Sequence, residues 1–235
     1  MFNKKYNKNQ EISVAVDCVI FGYDEQKLNL LLFKRKYEPF KGDWSLLGDA
    51  PDGNLSMDQS AQDIIFNLTG AKDIYLNQLK TYGDVNRDPR DRVVSIVYFS
   101  LIRVDYFNII DLEKHNVKWF DLYNIPEIVL DHNQMVNDAL MKLRNIAKTQ
   151  PVGFKLLPKL FTLPQLQNLY ECIYNTEFDS RNFRKKILST GFLEKSDKKD
   201  KTSSKKGAFL YRFKNINDQI ASPNETINLK DVFQF

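Results

Sequence analysis

The chain has 235 residues, 43% of them apolar and 27% charged, which allows one or two globular domains and excludes disorder for most of its length. Its net charge of +4 conceals an uneven distribution: residues 151–235 carry 15 Lys and Arg against 9 Asp and Glu, a net of +6, which leaves −2 for residues 1–150. Basic charge gathered at one end points to a polyanionic partner for that part of the chain.

Two cysteines, Cys18 and Cys172, cannot build a disulfide framework or a cysteine-rich zinc site, so a reducing cytoplasm is the expected compartment. The basic start, Met1 to Lys8, leads into no apolar stretch, which argues against a secretory signal. No run approaches the roughly 18 apolar residues needed to span a bilayer. No membrane partner and no cofactor is expected.

Ile12 to Phe21 is β-branched and nearly continuous, the mark of a strand buried on both faces. Leu28 to Phe33 is a second apolar run, ending in Lys34-Arg35-Lys36. Ser56 to Leu68 reads as a helix: Ser56 and Gln59 form a capping box, Met57, Ala61, Ile64, Ile65 and Leu68 form one stripe, and Gly70 supplies the stop. Val93 to Ile102 is another buried strand, and Gln134 to Ala147 a helix with basic residues toward its C-terminus. The pattern is a mixed α+β domain around a central sheet.

Pro151, Gly153 and Pro158 punctuate the chain where the charge balance shifts, which places a domain boundary between residues 150 and 151. Beyond it, Thr162 and Gln165 form a second capping box, followed by a helical apolar face of Leu163, Leu166, Leu169, Tyr170 and Ile173. Asp179 caps a further helix, Ser180 to Thr190. Phe192-Leu193 and Ala208 to Tyr211 read as two short strands, with Lys195 to Lys206 as a polar loop between them.

On the helix after Asp179, Phe183 and Ile187 face inward, while Arg181, Arg184 and Lys185 share the opposite face with Asn182 beside them. Arginine grips guanine edges and asparagine grips adenine edges, so these residue types suit major-groove reading. Lys198, Lys199, Lys201, Lys205 and Lys206 of the loop suit phosphate contact. Residues 181–206 hold 10 Lys and Arg against 3 Asp and Glu. A helix pair followed by a basic β-hairpin is the layout of a winged helix that binds double-stranded DNA. A solvated charged face, or a winged helix used for protein contact, are the alternatives.

The stretch Trp44-Ser45-Leu46-Leu47-Gly48 and the helix ending Leu68-Thr69-Gly70 resemble the loop–helix of the Nudix fold. Aligned on Gly70, the family's first motif glycine falls on Asp49 and its first glutamate on Leu55. Its arginine falls on Asp63, and its remaining glutamates on Ile64, Asn67 and Leu68. Divalent cations need clustered oxygen ligands, and those positions offer one neutral amide. Nudix-type pyrophosphate hydrolysis is not expected. A rearranged site among Asp49, Asp52, Asp58 and Asp63 is the alternative, and His115 and His132 are too sparse for a His-based metal site.

The segment from Arg87 to Leu101, with Gly153 to Pro158, Phe161-Thr162-Leu163 and Asp179 to Lys186, resembles Nudix-related bacterial transcription regulators over about residues 10–215. The resemblance implies an α/β/α Nudix-like sandwich followed by a winged helix-turn-helix, acting as a cytoplasmic homodimer with a small-molecule effector. One branch of those regulators controls nicotinamide-cofactor metabolism and another sugar catabolism. The lysine-rich wing and the ending Phe233-Gln234-Phe235 look most similar to the arabinose-type sugar branch, so a sugar, L-arabinose first, is the expected effector. A hydrolase or an ADP-ribose-responsive regulator of nicotinamide-cofactor metabolism is the alternative. Candidate effector-binding residues are Asp17, which interrupts a buried strand, Lys34, Glu38, Arg87 and Asp88. Arg87 and Asp88 could instead close a turn by their own ion pair, and Trp44 reads as core.

Overall fold

The structure, a computed structural model, describes residues 11–72, 74–148, 150, 152–201 and 207–214. These residues divide into two compact units, the first running to Gly22 and resuming at Asn29–Ala139, the second taking in Tyr23–Leu28 and the chain from Leu140 onward. The division falls within a helix rather than at the Pro151–Pro158 punctuation.

In the first unit the strands are β1 (Ser13–Tyr23), β2 (Leu28–Lys34), β3 (Trp44–Ser45), β4 (Leu47–Asp49), β5 (Asn77–Tyr82), β6 (Val93–Arg103) and β7 (Val117–Asp121). They form one sheet with the path β3-β2-β1-β6-β5, to which β4 adds on β1 and β7 on β2. From Val16 to Tyr23 every residue of β1 is buried, as expected of a strand covered on both faces. The helices are α1 (Met57–Thr69), α2 (Ile109–Lys114) and α3 (His132–Ala147), the last crossing into the second unit.

Helix α1 forms where its caps demand it. Gln59 N–H donates to Ser56 Oγ, Ser56 N–H donates to Gln59 Oε1, and Gly70 ends the helix in a left-handed conformation at φ 73°. Ala61, Ile64 and Ile65 are buried in the core with Val16, Cys18, Ile20, Leu31 and Leu47. The short β3, β4 and α2, and the amphipathic β5, lack the long apolar runs that identify the central strands, and none was expected from the sequence.

The second unit holds β8 (Phe161–Thr162), α4 (Leu163–Tyr174), α5 (Ser180–Ser189), β9 (Leu193–Asp200) and β10 (Ala208–Phe213). Its sheet runs β8-β10-β9. Thr162 and Gln165 form the second capping box, and Leu163, Leu166, Leu169, Tyr170 and Ile173 are all buried. The Phe183 ring of α5 packs between Tyr170 and Phe178, at 5.8 and 6.0 Å. The expected loop from Lys195 is a strand as far as Asp200, because β9 needs only its backbone paired with β10 while its lysines stay in water. Among the described residues no helix is long and apolar enough to cross a membrane.

Candidate functional site

Two features of the structure are candidates for function, a cavity in the first unit and a basic face in the second. The cavity, of about 850 Å³, is lined from β1 and β4, the chain after β2, α1, the Arg87–Asp91 segment and the start of α3. Asp17, Arg87 and Asp88 come together in its wall. Lys34 and Glu38 do not. Strand alternation turns Phe33 and Arg35 into the cavity and Lys34 out, where its Nζ lies 5.7 Å from the Trp44 ring; Glu38 is exposed. Trp44 packs edge-on against Phe120, a structural role.

Arg87 does not pair with Asp88. Its Nε and Nη2 donate to Asp131 at 3.0 and 2.8 Å, a bidentate grip on the residue before α3, and its side chain is 2% exposed. Asp88 instead accepts from Arg90, whose hydrogen bond holds that carboxyl below its ordinary value against the opposing effect of burial.

Asp17 receives the Ser95 hydroxyl on Oδ2 at 2.5 Å, and Arg87 Nη2 stands 3.8 Å from the same oxygen. His132, at the first turn of α3, accepts Leu46 N–H on Nδ1 at 3.1 Å, which leaves the ring proton on Nε2, 3.7 Å from Asp17 Oδ1. Burial pushes this imidazole below its ordinary value, although Asp17 and Asp131 pull the other way. His132 is therefore the neutral tautomer at neutral pH.

Arg35 and Lys36 line the cavity without an ion-pair partner among the described residues. Arg35, Lys36, Arg90, Ser60 and His132 also line the cavity and are not among the residues expected there from the sequence. The Lys34-Arg35-Lys36 run and the Arg87–Arg92 cluster carried the signal for the cations. Nothing local marked Ser60 or His132.

The α1 positions where Nudix relatives carry metal-binding glutamates face this cavity as Ile64, Asn67 and Leu68. Among the described residues no group of three His, Cys, Asp or Glu side chains comes together to hold a metal. The donor set does not fit the family's divalent cation.

In the second unit Arg181, Asn182, Arg184 and Lys185 are exposed together on α5, with Phe183 and Ile187 buried beneath them. Asp179 Oδ1 accepts Asn182 N–H at 2.8 Å, fixing the helix start. Lys198, Lys199 and Lys201 are exposed on and beyond β9, and the Nζ groups of Lys195 and Lys199 lie 3.5 and 4.7 Å from the Phe209 ring centre. Lys205, Lys206 and Phe233-Gln234-Phe235 lie outside the described residues.

Comparison with known proteins bears on both features. Residues 153–213 match the model of the NrtR DNA-binding winged helix domain. The chain is 32% identical over 220 residues to the ADPR responsive transcriptional repressor NtrR of Acinetobacter baylyi, covering 90% of this chain and 87% of that one. It resembles the crystal structure of Shewanella oneidensis NrtR complexed with a 27mer DNA, with a TM-score of 0.72 and 29% identity over 86% of this chain and 93% of that one. The NUDIX domain of the same Shewanella protein, complexed with ADP ribose, matches at a TM-score of 0.52 and 28% identity, over 59% of this chain and 94% of that one.

These relatives overturn the expected sugar effector and the arabinose branch. The Acinetobacter repressor answers to ADPR, and the Shewanella domain was crystallised with ADP ribose. The expectation rested on the lysine-rich wing, whose described residues do not line the cavity, and on a C-terminal end that lies outside the described residues. The cavity itself carries Arg35 and Lys36 without an ion-pair partner among the described residues, a charge suited to a diphosphate.

Proposed function

The chain belongs to the NrtR family of transcription regulators, and from that membership we propose that it is an ADP-ribose-responsive regulator of nicotinamide-cofactor metabolism. ADP-ribose occupies the first unit's cavity, and its binding changes the affinity of the winged helix for duplex DNA. The observation that carries this reading is a cavity of about 850 Å³ that keeps unpaired cations, Arg35 and Lys36, while presenting Ile64, Asn67 and Leu68 where a hydrolase holds its metal. Such a site holds a diphosphate without the means to cleave it.

Arg181, Asn182, Arg184 and Lys185 read base edges, and Lys198, Lys199, Lys201, Lys205 and Lys206 hold phosphates. Asp17, Arg87 and Asp88, with Arg35 and Lys36, contact the effector. Two copies acting as a homodimer place two α5 helices on successive half-sites. These two tasks are assigned to the domains expected at residues 1–150 and 151–235, although the compact units divide within α3, between Ala139 and Leu140.

The test starts from duplexes selected by the full chain from a random-sequence library. ADP-ribose is then titrated into the complex, with L-arabinose as control. A shift in DNA affinity with ADP-ribose alone supports the proposal; an unchanged affinity sinks it. Magnesium-dependent turnover of ADP-ribose at an ordinary enzymatic rate would overturn the non-catalytic part.

A further inference from the structure

Two polar atoms in the cavity wall have unmet hydrogen-bonding capacity. Ser60, on the buried side of α1, is 2% exposed, and its Oγ has no hydrogen-bond partner among the described residues. Asp17 is 7% exposed; the donor facing its Oδ1, the His132 Nε2–H, stands 3.7 Å away, too far to bond. Both residues line the cavity. Native proteins seldom leave an atom such as Ser60 Oγ unpaired, because burial without a partner is costly.

The chemistry of the two atoms defines what they can take. A carboxylate oxygen only accepts, so Asp17 Oδ1 needs a ligand O–H or N–H and repels a phosphate oxygen. A serine hydroxyl both donates and accepts, and so completes a pair of bonds with an alcohol. Arg87 grips Asp131 with two hydrogen bonds and approaches Asp17 only at Oδ2, 3.8 Å away, which leaves Oδ1 without a hydrogen bond. Arg35 and Lys36, without an ion-pair partner among the described residues, join the cavity lining from the chain after β2, whereas Asp17 comes from β1 and Ser60 from α1. Cationic groups and groups suited to an alcohol thus come from different elements around one cavity.

We infer that Asp17 and Ser60 form a subsite for the ribose hydroxyls of the effector, leaving its diphosphate to the basic residues. The inference rests on the reading of the cavity as an ADP-ribose sensor. It adds that recognition of the ligand's alcohols depends on these two side chains.

The experiment pairs changes in the protein with changes in the ligand. Calorimetry of the full chain compares ADP-ribose with analogues lacking one ribose hydroxyl at a time, in the unaltered protein, Asp17→Asn and Ser60→Ala. One analogue is expected to bind the unaltered protein about tenfold to a hundredfold more weakly than ADP-ribose, yet to bind a variant as well as ADP-ribose does. Thermal unfolding of Ser60→Ala is expected at or above the unaltered temperature, since it removes an unpaired buried hydroxyl, which separates a binding role from a structural one. Unchanged ADP-ribose affinity in both variants, or an equal loss for every analogue, overturns the subsite. Failure of the unaltered chain to bind ADP-ribose at all overturns the sensor reading and the subsite with it.

Discussion

Gly48 lies opposite Asp17 in the β4–β1 ladder, and the Asp17 carboxylate fills the space where a side chain at position 48 would begin. Glycine there is a consequence of the buried acid across the ladder rather than of any turn. Gly48→Ala is expected to cost about 1–3 kcal/mol by overpacking and to displace Asp17 from Ser95. Chemical unfolding measures the first effect. Weakened ADP-ribose binding in the folded variant measures the second, and full affinity would sink this account of Gly48.

The Arg87–Asp131 pair joins the loop before β6 to the start of α3. Arg87→Ala leaves Asp131 and the buried Asp17 without their guanidinium, a loss of about 3–5 kcal/mol. Arg87→Lys cannot restore two parallel bonds and should recover only a minor part. A variant with Lys at 87 as stable as the original by denaturant titration would show that the bidentate geometry is immaterial.

Acid should weaken the first unit through His132. Its folded imidazole lies below the ordinary value, so the unfolded chain takes up the proton first as pH falls. The contribution is complete above about 6.5, the ordinary histidine value, and declines below it as the pH approaches the folded value. The slope approaches about 1.4 kcal/mol per pH unit for one proton. His132→Asn, whose Oδ1 can accept Leu46 N–H, should flatten the dependence between pH 6.5 and 5. An unaltered slope in that variant would assign the proton elsewhere.

The exposed α5 residues and the wing are expected to fail differently. Arg181→Ala with Arg184→Ala should abolish preference for selected over random duplex, by about 1–3 kcal/mol per lost base contact. Phe209→Leu should loosen Lys195 and Lys199, weakening all duplexes alike and lowering the salt slope by about 1 per lost phosphate contact. Fluorescence anisotropy at several salt concentrations separates the two. Sequence-dependent loss from Phe209→Leu would contradict the assignment.

Much of the fold was legible because its determinants are local. The α1 and α4 capping boxes, the Gly70 stop and the inward Phe183 and Ile187 all follow from spacings of three or four residues. The same periodicity put Arg181, Arg184 and Lys185 on one exposed face. The charged wing strand was misread as loop because composition reports solvent exposure and not backbone pairing.

The sequence alone determined that α1 lacks the family's metal-binding carboxylates, since residue identity at Ile64, Asn67 and Leu68 is enough to exclude them as ligands. It also determined that basic charge gathers in the DNA-facing part. Only the tertiary structure decided what the cavity contains. Asp17 meets Ser95 across 78 residues, Arg87 meets Asp131 across 44, and Leu46 meets His132 across 86. No local periodicity encodes such meetings. They arise when sheet register and helix packing bring distant segments together, and burial then forces each polar group to find a partner or, like Ser60 Oγ, to lack one.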